Sequence, residues 1–370
     1  MIFSILIVLF AVVGLLVLHE FGHFLLAKKF GVKVEEFGVF LPPRIWSKKV
    51  GETIYSLNLL PFGAFVKLAG EEKRVKQPWS FSQKPIWQRM LIVLGGVASF
   101  WLIAFLILTL VSGIWGLPKA VSDDFKPENL KGGIEIVEEP QIQIVGVSEN
   151  SPAKKAGLQV GDVIYEFKVQ SSKFQIKKIE KLQELAFSHK GEKVVLGIKR
   201  GKETLEISLV PREFPPEEEG PIGIILAKIV KLRYPWFRAP LQGALLTYQE
   251  TVQIPIILGN VFYRFLKGEK PKGVKFVGPI GIGNLMVQAL ERGLDNFLIL
   301  IGMISIWLAL FNLFPIPALD GGKLLFLAVE GVRKKPVSQE FEERITTFFF
   351  FAFILLMIFI TIKDIKNLLF

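Results

Sequence analysis

Long runs of apolar residues alternate with polar segments along this chain of 370 residues. The clearest runs are Ile2–Ala27, Met90–Trp115, Leu294–Phe314 and Thr346–Ile362. Each is close to the about 20 residues that an α-helix needs to cross the hydrocarbon core of a bilayer. Because 51% of the residues are hydrophobic and yet 21% are charged, the two classes must be separated along the chain. The pattern predicts a polytopic α-helical membrane protein with four transmembrane helices.

A further apolar stretch, Leu241–Leu266, differs from these runs because polar side chains interrupt it. They are Gln242, Thr247, Gln249, Glu250, Gln253 and Asn260. Hydropathy alone would allow this stretch to cross a membrane. We interpret it instead as an amphipathic helix on the outer membrane surface, since such helices carry polar residues along one face.

Basic residues lie beside the apolar runs rather than in one basic domain. Lys28, Lys29 and Lys33 follow the first run, and more Lys and Arg residues extend from Arg44 to Arg89. Cytoplasmic loops are rich in such residues, so this segment is expected inside and the N-terminus outside. The net charge of +11 therefore reflects membrane topology, and no nucleic-acid partner is expected. A cleaved signal peptide is disfavoured, because no basic region precedes the first run and no small-x-small site follows it.

The segment after the first run predicts a small sheet on the cytoplasmic side. Its candidate strands are Val34–Phe40, Thr53–Leu59 and Ala64–Leu68, broken at Pro42-Pro43, Gly51 and Pro61–Gly63. Residues 57–69 are too apolar for an ordinary solvent loop, so we expect a membrane-associated β-hairpin or sheet. Its edge could pair with an extended peptide, a common recognition mode, and a purely structural hairpin is the alternative. The candidate substrate-binding residues are Leu57, Asn58, Gly63, Ala64, Phe65 and Val66.

Residues 140–213 read as a soluble α/β module. Gln141–Val147 alternates like a strand, Ser151 can start a helix that Gly157 ends, and a turn leads into the strand Val163–Phe167. A helix at 181–187 and a strand pair at 193–199 and 204–210 follow. The run NSPAKKAGLQVGDVI resembles the PDZ domain family, whose members bind extended peptides by strand addition. A solitary PDZ domain could equally act as a steric cap.

Two of the three histidines lie inside the first apolar run, in the sequence HEFGH from His19 to His23. On a helix, residues four apart share one face, so both imidazoles can bind one ion. Zinc is the usual ion for this motif, and Glu20 beside it can serve as a general base. Ionisable groups inside a membrane span are costly, which favours a functional site over a buried idle cluster.

A catalytic zinc usually holds three protein ligands, so this motif lacks one. His189 belongs to the soluble module and is interpreted as a surface residue, and the chain has no cysteine. Asp320 follows the third run in NLFPIPALDGG, where prolines interrupt the helix and Gly321 and Gly322 allow backbone conformations closed to other residues. Asp320 is therefore the candidate third ligand, and an Asp that only caps the next helix is the alternative.

Ligation by Asp320 constrains the topology. His19 and His23 lie toward the inner end of the first run, so Asp320 can meet them only if the third run also ends inside. The second run leads the chain outside, so 241–266 must not cross. The basic residues that follow Asp320 then fall inside, in agreement with the positive-inside rule. Four crossings satisfy these conditions, whereas five would separate the ligands.

With HEFGH, the PDZ-like insert and NLFPIPALDGG in this order, the chain resembles the bacterial site-2 proteases over nearly its whole length. The likeness includes LNLLPFGAFVKLAGE, KPIWQRMLIVLGGVASF and the GPIGI that begins at Gly278. The resemblance implies that the two histidines and Asp320 bind zinc and that Glu20 activates the water. It also implies that Asn312 contacts the substrate backbone or stabilises the oxyanion. The chain departs from the family pattern at Ser99 and Val97, where many members have Asn and Pro.

The family consists of zinc intramembrane metalloproteases of regulated intramembrane proteolysis. The resemblance implies cleavage of transmembrane segments of single-pass proteins, such as a pre-trimmed anti-sigma factor or remnant signal peptide. Its implied partners are the lipid bilayer and an upstream site-1-type protease. It implies a bacterial cytoplasmic (inner) membrane location, with the N-terminus and PDZ domain extracytoplasmic and the active site toward the cytoplasm. A catalytically idle scaffold or chaperone is the alternative. A transporter is disfavoured by the lack of detectable inverted repeats.

These predictions divide the chain into membrane helices and the segments between them. They are transmembrane helix 1 (1–28), the cytoplasmic-side β region (29–89), transmembrane helix 2 (90–116), a linker (117–139), the inserted α/β PDZ domain (140–213), a linker with the surface helix (214–293), transmembrane helix 3 with its motif (294–322), a cytoplasmic loop (323–345) and transmembrane helix 4 (346–364).

Overall fold

The computed structural model describes residues 2–71, 73–130, 132–201, 203–216, 219–268 and 277–369. These residues form two compact units. The first draws on Met1–Leu108, Gly243–Ile254 and Val277–Phe370, and the second on Thr109–Gln242 and Pro255–Phe276. Residues 269–276, which belong to the predicted linker 214–293, lie outside the described residues.

Helices dominate the first unit, and strands dominate the second. The helices are α1 (Ile2–Lys29), α2 (Ile86–Ile114), α3 (Pro152–Lys155), α4 (Ile179–Ser188), α5 (Ala239–Leu266), α6 (Pro279–Arg292), α7 (Leu294–Leu313), α8 (Asp320–Arg333) and α9 (Gln339–Leu369). The strands are β1 (Val34–Val50), β2 (Thr53–Leu68), β3 (Leu117–Val121), β4 (Glu135–Val147), β5 (Val163–Val169), β6 (Ser172–Gln175), β7 (Val194–Arg200), β8 (Glu203–Leu209) and β9 (Ile224–Arg233).

Four of the described helices are long and apolar enough to cross a membrane: α1, α2, α7 and the Gln339–Lys366 part of α9. They correspond to the four apolar runs, so the prediction of four such helices is confirmed. The helix α5 is not among them, and it contains Pro255. The predicted loop 323–345 is largely helical, because Leu324 and Leu327 of α8 pack into the core with Ile92 of α2.

Close glycine contacts join α1 to α2. A Cβ atom added at Gly22 would lie 2.2 Å from the carbonyl oxygen of Gly95. Small residues of this kind let membrane helices approach until their backbones touch. Apolar side chains of α1, α2, α6 and α7 fill the rest of this core. They are Val8, Leu15, Val97, Phe100, Met286, Phe297, Ile301 and Ala309.

The strands β1 and β2 form a sheet of their own in the first unit. Residues 34–39 pair with 64–68 on one side. On the other side 36–39 pair with 54–57, and 44–50 pair with 53–58. The segment Ala64–Leu68 therefore lies at an edge of this sheet. The predicted breaks at the prolines do not end the strands. Pro42 and Pro43 lie within β1, at an irregularity of register between Leu41 and Arg44.

The second unit is built on a sheet with strand order β3-β9-β4-β5-β7-β8, and β6 pairs with β5. The sheet extends beyond residues 140–213, because β3 and β9 pair with each other and β9 also pairs with β4. Its core is apolar and includes Ile144, Phe167, Leu182 and Leu196. As the sequence predicts, Ser151 caps α3 by accepting a hydrogen bond from the backbone N–H of Lys154, 3.1 Å away.

Candidate metal centre

His19 and His23 project from the same face of α1 into the interior of the first unit. Both side chains are buried, and their Nε2 atoms lie 3.3 Å apart. The Nδ1 atom of His23 lies 2.9 Å from the backbone oxygen of Ile92 on α2. An Nδ1–H donor to that carbonyl leaves the Nε2 lone pair of His23 free for an ion, which is the usual arrangement of a metal-bound histidine.

Asp320 reaches these histidines from the far end of the sequence. The helix α7 ends at Leu313, residues 314–319 form a bend, and Asp320 is the first residue of α8. One carboxylate oxygen of Asp320, Oδ2, lies 3.4 Å from the Nε2 atom of His19 and 3.4 Å from that of His23. The fold thus brings together three potential ligands that the sequence predicted as a set.

The spacing of these three atoms fits zinc. In a regular tetrahedron with edges of 3.3–3.4 Å, the centre lies about 2.1 Å from each corner, which is the usual Zn–N distance. Asp320 Oδ2 is buried and has no hydrogen-bond partner among the described residues. A buried carboxylate oxygen without a partner is costly, and a bound cation would remove that cost. The donor set, two imidazoles and one carboxylate, also matches catalytic zinc sites.

Glu20 lies next to the histidines on α1 and faces the sheet. Its carboxylate oxygen Oε2 accepts a hydrogen bond of 3.0 Å from the backbone N–H of Val66. This N–H therefore points away from β1 and toward the metal centre. The contact places the edge segment Ala64–Leu68 beside the candidate general base.

The sequence model of Peptidase family M50 matches residues 7–357 of the chain. The chain belongs to Peptidase family M50. This match confirms the resemblance to site-2 proteases, which are zinc-dependent metalloproteases. The four long apolar helices indicate that the protein is an integral membrane protein.

Several curated proteins resemble this M50 peptidase along almost their full length. A putative zinc metalloprotease of Clostridium perfringens is 32% identical over 359 residues, covering 96% of this chain and 97% of the relative. One from Clostridium acetobutylicum is 29% identical, with 98% and 97% coverage. The regulator of sigma-W protease RasP of Bacillus subtilis is 25% identical, with 95% of both chains covered.

The six predicted substrate-binding residues of this peptidase do not share one environment. Ala64, Phe65 and Val66 lie on the sheet edge beside Glu20, and Gly63 precedes them in β2 with φ of +79°. Leu57 and Asn58 lie inside the sheet instead. Asn58 is 1% exposed, and its amide donates to the backbone oxygens of Val39 and Phe40. The described contacts of Asn58 are therefore structural.

Asn312 lies near the end of α7, and its side-chain amide donates to the backbone oxygen of Leu308, 2.9 Å away. In this conformation the amide is engaged by its own helix. Ser99 behaves similarly, since its hydroxyl donates to the backbone oxygen of Gly96 at 2.6 Å. The serine that replaces the family asparagine thus satisfies its donor within α2.

The reason for the glycine pair after Asp320 differs from the predicted one. Gly321 and Gly322 are ordinary helical residues of α8, not residues with positive φ. A Cβ at Gly321 would lie 2.1 Å from the oxygen of Phe314, so close backbone approach requires glycine there. The positive φ belongs to Ala318, at +88°. An alanine in this region is strained, and such strain is common at functional sites.

Two residues that shape the site were not predicted. The ring of Phe100 is buried and stacks on that of His19, with centroids 4.6 Å apart. Gly96 faces both imidazoles, and a Cβ there would lie 2.1 Å from Nε2 of His23. Both residues belong to the KPIWQRMLIVLGGVASF segment. Its glycine pair was a usable signal for close helix packing, but the stacking of Phe100 was not readable from the sequence.

Proposed function

We propose that this chain is a zinc-dependent endopeptidase that hydrolyses peptide bonds within transmembrane segments of single-pass membrane proteins. The observation that carries the proposal is the meeting of His19, His23 and Asp320 beside Glu20, with both histidines on a helix apolar enough to span a bilayer. A catalytic site on such a helix lies within the bilayer, where the transmembrane segment of the substrate also lies. The complete ligand set does not favour the idle scaffold.

In the proposed mechanism, His19, His23 and Asp320 hold zinc, which when bound polarises a carbonyl group and makes water a nucleophile near neutral pH. Glu20 accepts a proton from the attacking water and later delivers it to the leaving amine. The backbone N–H of Val66 holds the Glu20 carboxylate on the side of the sheet. Asn312 is proposed to donate to the oxyanion, which requires its amide to leave the oxygen of Leu308.

Substrate binding is proposed to use the sheet edge. A transmembrane helix hides its peptide bonds in internal hydrogen bonds, so the substrate must unwind near the scissile bond. Residues 64–68 carry backbone groups on the side away from β1 that an extended chain can meet by strand addition. The contact between Val66 and Glu20 supports this role, because the same edge adjoins the general base.

Residues 140–213 of the second unit are proposed to form the PDZ domain. The second unit contains a cavity of about 310 Å³ between α4 and the segment that leads into β9, lined by residues such as Leu182, Phe187, Ile222 and Ile224. This cavity offers an apolar groove for a peptide, while a steric role needs no occupant. The proposed orientation, with this unit outside and the basic segment 28–89 inside the bacterial cytoplasmic membrane, rests on the positive-inside rule. Substrates of regulated proteolysis would arrive trimmed by an upstream protease.

The proposal is tested with purified protein and a single-pass transmembrane reporter. Glu20→Gln is expected to keep zinc but to lower cleavage at least about 100-fold, since general acid–base catalysis contributes at least that factor. His23→Gln is expected to lose both zinc and cleavage. The matched control is His189→Gln, because His189 belongs to the second unit and contacts Glu192. Full cleavage by the Glu20→Gln variant would refute the assignment.

A further inference from the structure

One face of α8 connects the metal centre to the segment after β2. Asp320, Lys323, Leu327 and Glu330 recur every three or four residues, so they lie along one side of the helix. Leu327 is buried in a core cluster with Ile92 of α2 and Leu68 of β2. Glu330 accepts two hydrogen bonds from Arg89, at 2.5 and 3.1 Å. The helix that begins with a metal ligand is thus fixed at its far end to the first turn of α2.

Lys323 makes the contact nearest to the metal centre on this face. Its ammonium group forms an ion pair with the carboxylate of Glu71 and lies 5.3 Å from the ring centroid of Phe81. Neither partner is freely solvated, because the side chains of Lys323 and Glu71 are 28% and 22% exposed. Partial removal from water strengthens such a pair relative to a fully exposed one.

Glu71 belongs to a turn that is itself held in place. The backbone N–H of Ala69 donates to the oxygen of Lys33 at 2.9 Å, and that of Phe81 donates to the oxygen of Ala69 at 2.8 Å. Gly70 has φ of +77°, and a Cβ there would collide with Ser80. This turn directly follows Leu68, so a displacement of Glu71 also displaces the edge segment 64–68.

We propose that Lys323 is a positioning residue for the peptidase reaction. Its ion pair with Glu71 holds the edge segment 64–68 at a fixed position relative to the end of α8 that carries Asp320. The N–H of Val66 then stays on Glu20, while Asp320 stays on the histidines. Loss of the pair lets the edge move against the metal centre without removing a ligand. The inference rests on the proposed peptide hydrolysis, but the position of the edge segment does not depend on zinc or substrate.

The test compares Lys323→Met with Lys323→Arg and with the charge exchange Glu71→Lys plus Lys323→Glu. For Lys323→Met we expect unchanged zinc content and a kcat at least about tenfold lower, because small misplacements of catalytic groups are costly. KM should change less than kcat. Hydrogen exchange of the 64–71 amides should become faster in both zinc-loaded and zinc-free protein. Lys323→Arg should recover most of the kcat and the protection, and the charge exchange should recover the protection.

The matched control is Lys335→Met, since Lys335 is an exposed lysine just beyond α8, and it should change neither quantity. Unaltered exchange in Lys323→Met, or no recovery of the protection by the charge exchange, would overturn the proposal. Loss of zinc from Lys323→Met would also overturn it, since the residue would then serve the metal site itself. If the wild-type protein cleaves no reporter, the proposed function fails, and the exchange experiment on zinc-free protein still decides the role of Lys323.

Discussion

At the scale of single residues, Gly96 limits the space around the two imidazoles that are proposed to bind zinc. A Cβ at this position would lie 2.1 Å from Nε2 of His23 and 2.7 Å from Cε1 of His19. Gly96→Ala must therefore displace an imidazole or push α2 away from α1. We expect zinc affinity to fall by at least about tenfold, as it does when the support of a metal ligand is lost. The measurement is zinc content after dialysis against a graded series of chelator concentrations.

The control for this variant is Gly14→Ala on α1. A Cβ added at Gly14 would have no atom within 4 Å, so the extra methyl group meets open space. Zinc retention should equal that of the wild-type protein. If Gly96→Ala retained zinc as well as Gly14→Ala does, the tight contact between Gly96 and the imidazoles would not govern the site.

The sequence allowed the convergence of His19, His23 and Asp320 to be predicted, but not the residues that pack against them. His19 and His23 are readable because helical periodicity places them together, and Asp320 because the ion needs a third ligand near a membrane helix. The stacking of Phe100 on His19 depends on how α2 is rotated against α1, which no local pattern specifies. Asn58 was predicted to face the substrate because the sequence does not state which strand of the sheet is the edge.

At the scale of elements, the edge of the β1–β2 sheet gives a prediction that separates backbone from side chain. The N–H of Val66 points to Glu20 rather than into the pairing with β1. Val66→Pro removes this donor, and proline is tolerated where the N–H lies on the open edge of a sheet. We expect kcat to fall by about tenfold, the equivalent of one hydrogen bond to a charged group. Cleavage of the transmembrane reporter and zinc content are the measurements.

Val66→Ala is the matched variant, because it shortens the side chain and keeps the N–H. It should retain zinc and stay within a few-fold of wild-type kcat. Equal losses of kcat in the two variants would show that the side chain of Val66, not its N–H, matters.

A buried ion pair stabilises the sheet of the second unit. Asp162 is 1% exposed and accepts hydrogen bonds from Nε and Nη2 of Arg200, both at 2.7 Å, and from the N–H of Gln159. The same contact raises the pKa of the Arg200 guanidinium through its hydrogen bonds to Asp162. Arg200→Met leaves a buried carboxylate without its cation. Because Arg200 is 26% exposed, we expect a loss of about 2 kcal/mol, below the range for fully buried pairs.

Thermal unfolding of the full-length protein in detergent measures this loss, and Arg200→Met combined with Asp162→Asn is the control. The double variant removes the uncompensated charge and should recover part of the loss. If the double variant were instead less stable than Arg200→Met, removal of the buried charge would not compensate for the loss of Arg200. The two side chains would then not be coupled.

Some strands of this sheet could be predicted from the sequence, and others could not. The local patterns of 141–147, 163–167, 193–199 and 204–210 correspond to β4, β5, β7 and β8. The strands β3 and β9 fell in predicted linkers, although residues 117–121 pair with 228–232. Pairing between segments more than 100 residues apart in the sequence depends on tertiary packing, and β propensity alone does not report it.

At the scale of the whole molecule, the metal centre and the topology constrain each other. His19, His23 and Asp320 converge, and Asp320 follows α7 after a short bend. If the three side chains hold one ion, as proposed, α1 and α7 approach the site from the same side of the membrane. In the proposed topology α2 reverses the direction of α1, so the chain between α2 and α7 contains an even number of crossings. The helix α5 is not among the described helices that are long and apolar enough to span a membrane, which agrees with the proposed even number.

The absence of cysteine makes this topology directly measurable, because one introduced thiol is the only thiol in the protein. Gly220→Cys marks the second unit, and Lys335→Cys marks the connection between α8 and α9. In intact cells, a membrane-impermeant maleimide should label Gly220→Cys and not Lys335→Cys, and permeabilised cells should show labelling of both. Cleavage of the reporter by each variant confirms that the fold is retained. Labelling of both positions in intact cells would place them on one side, and the proposed orientation of the four spans would then be wrong.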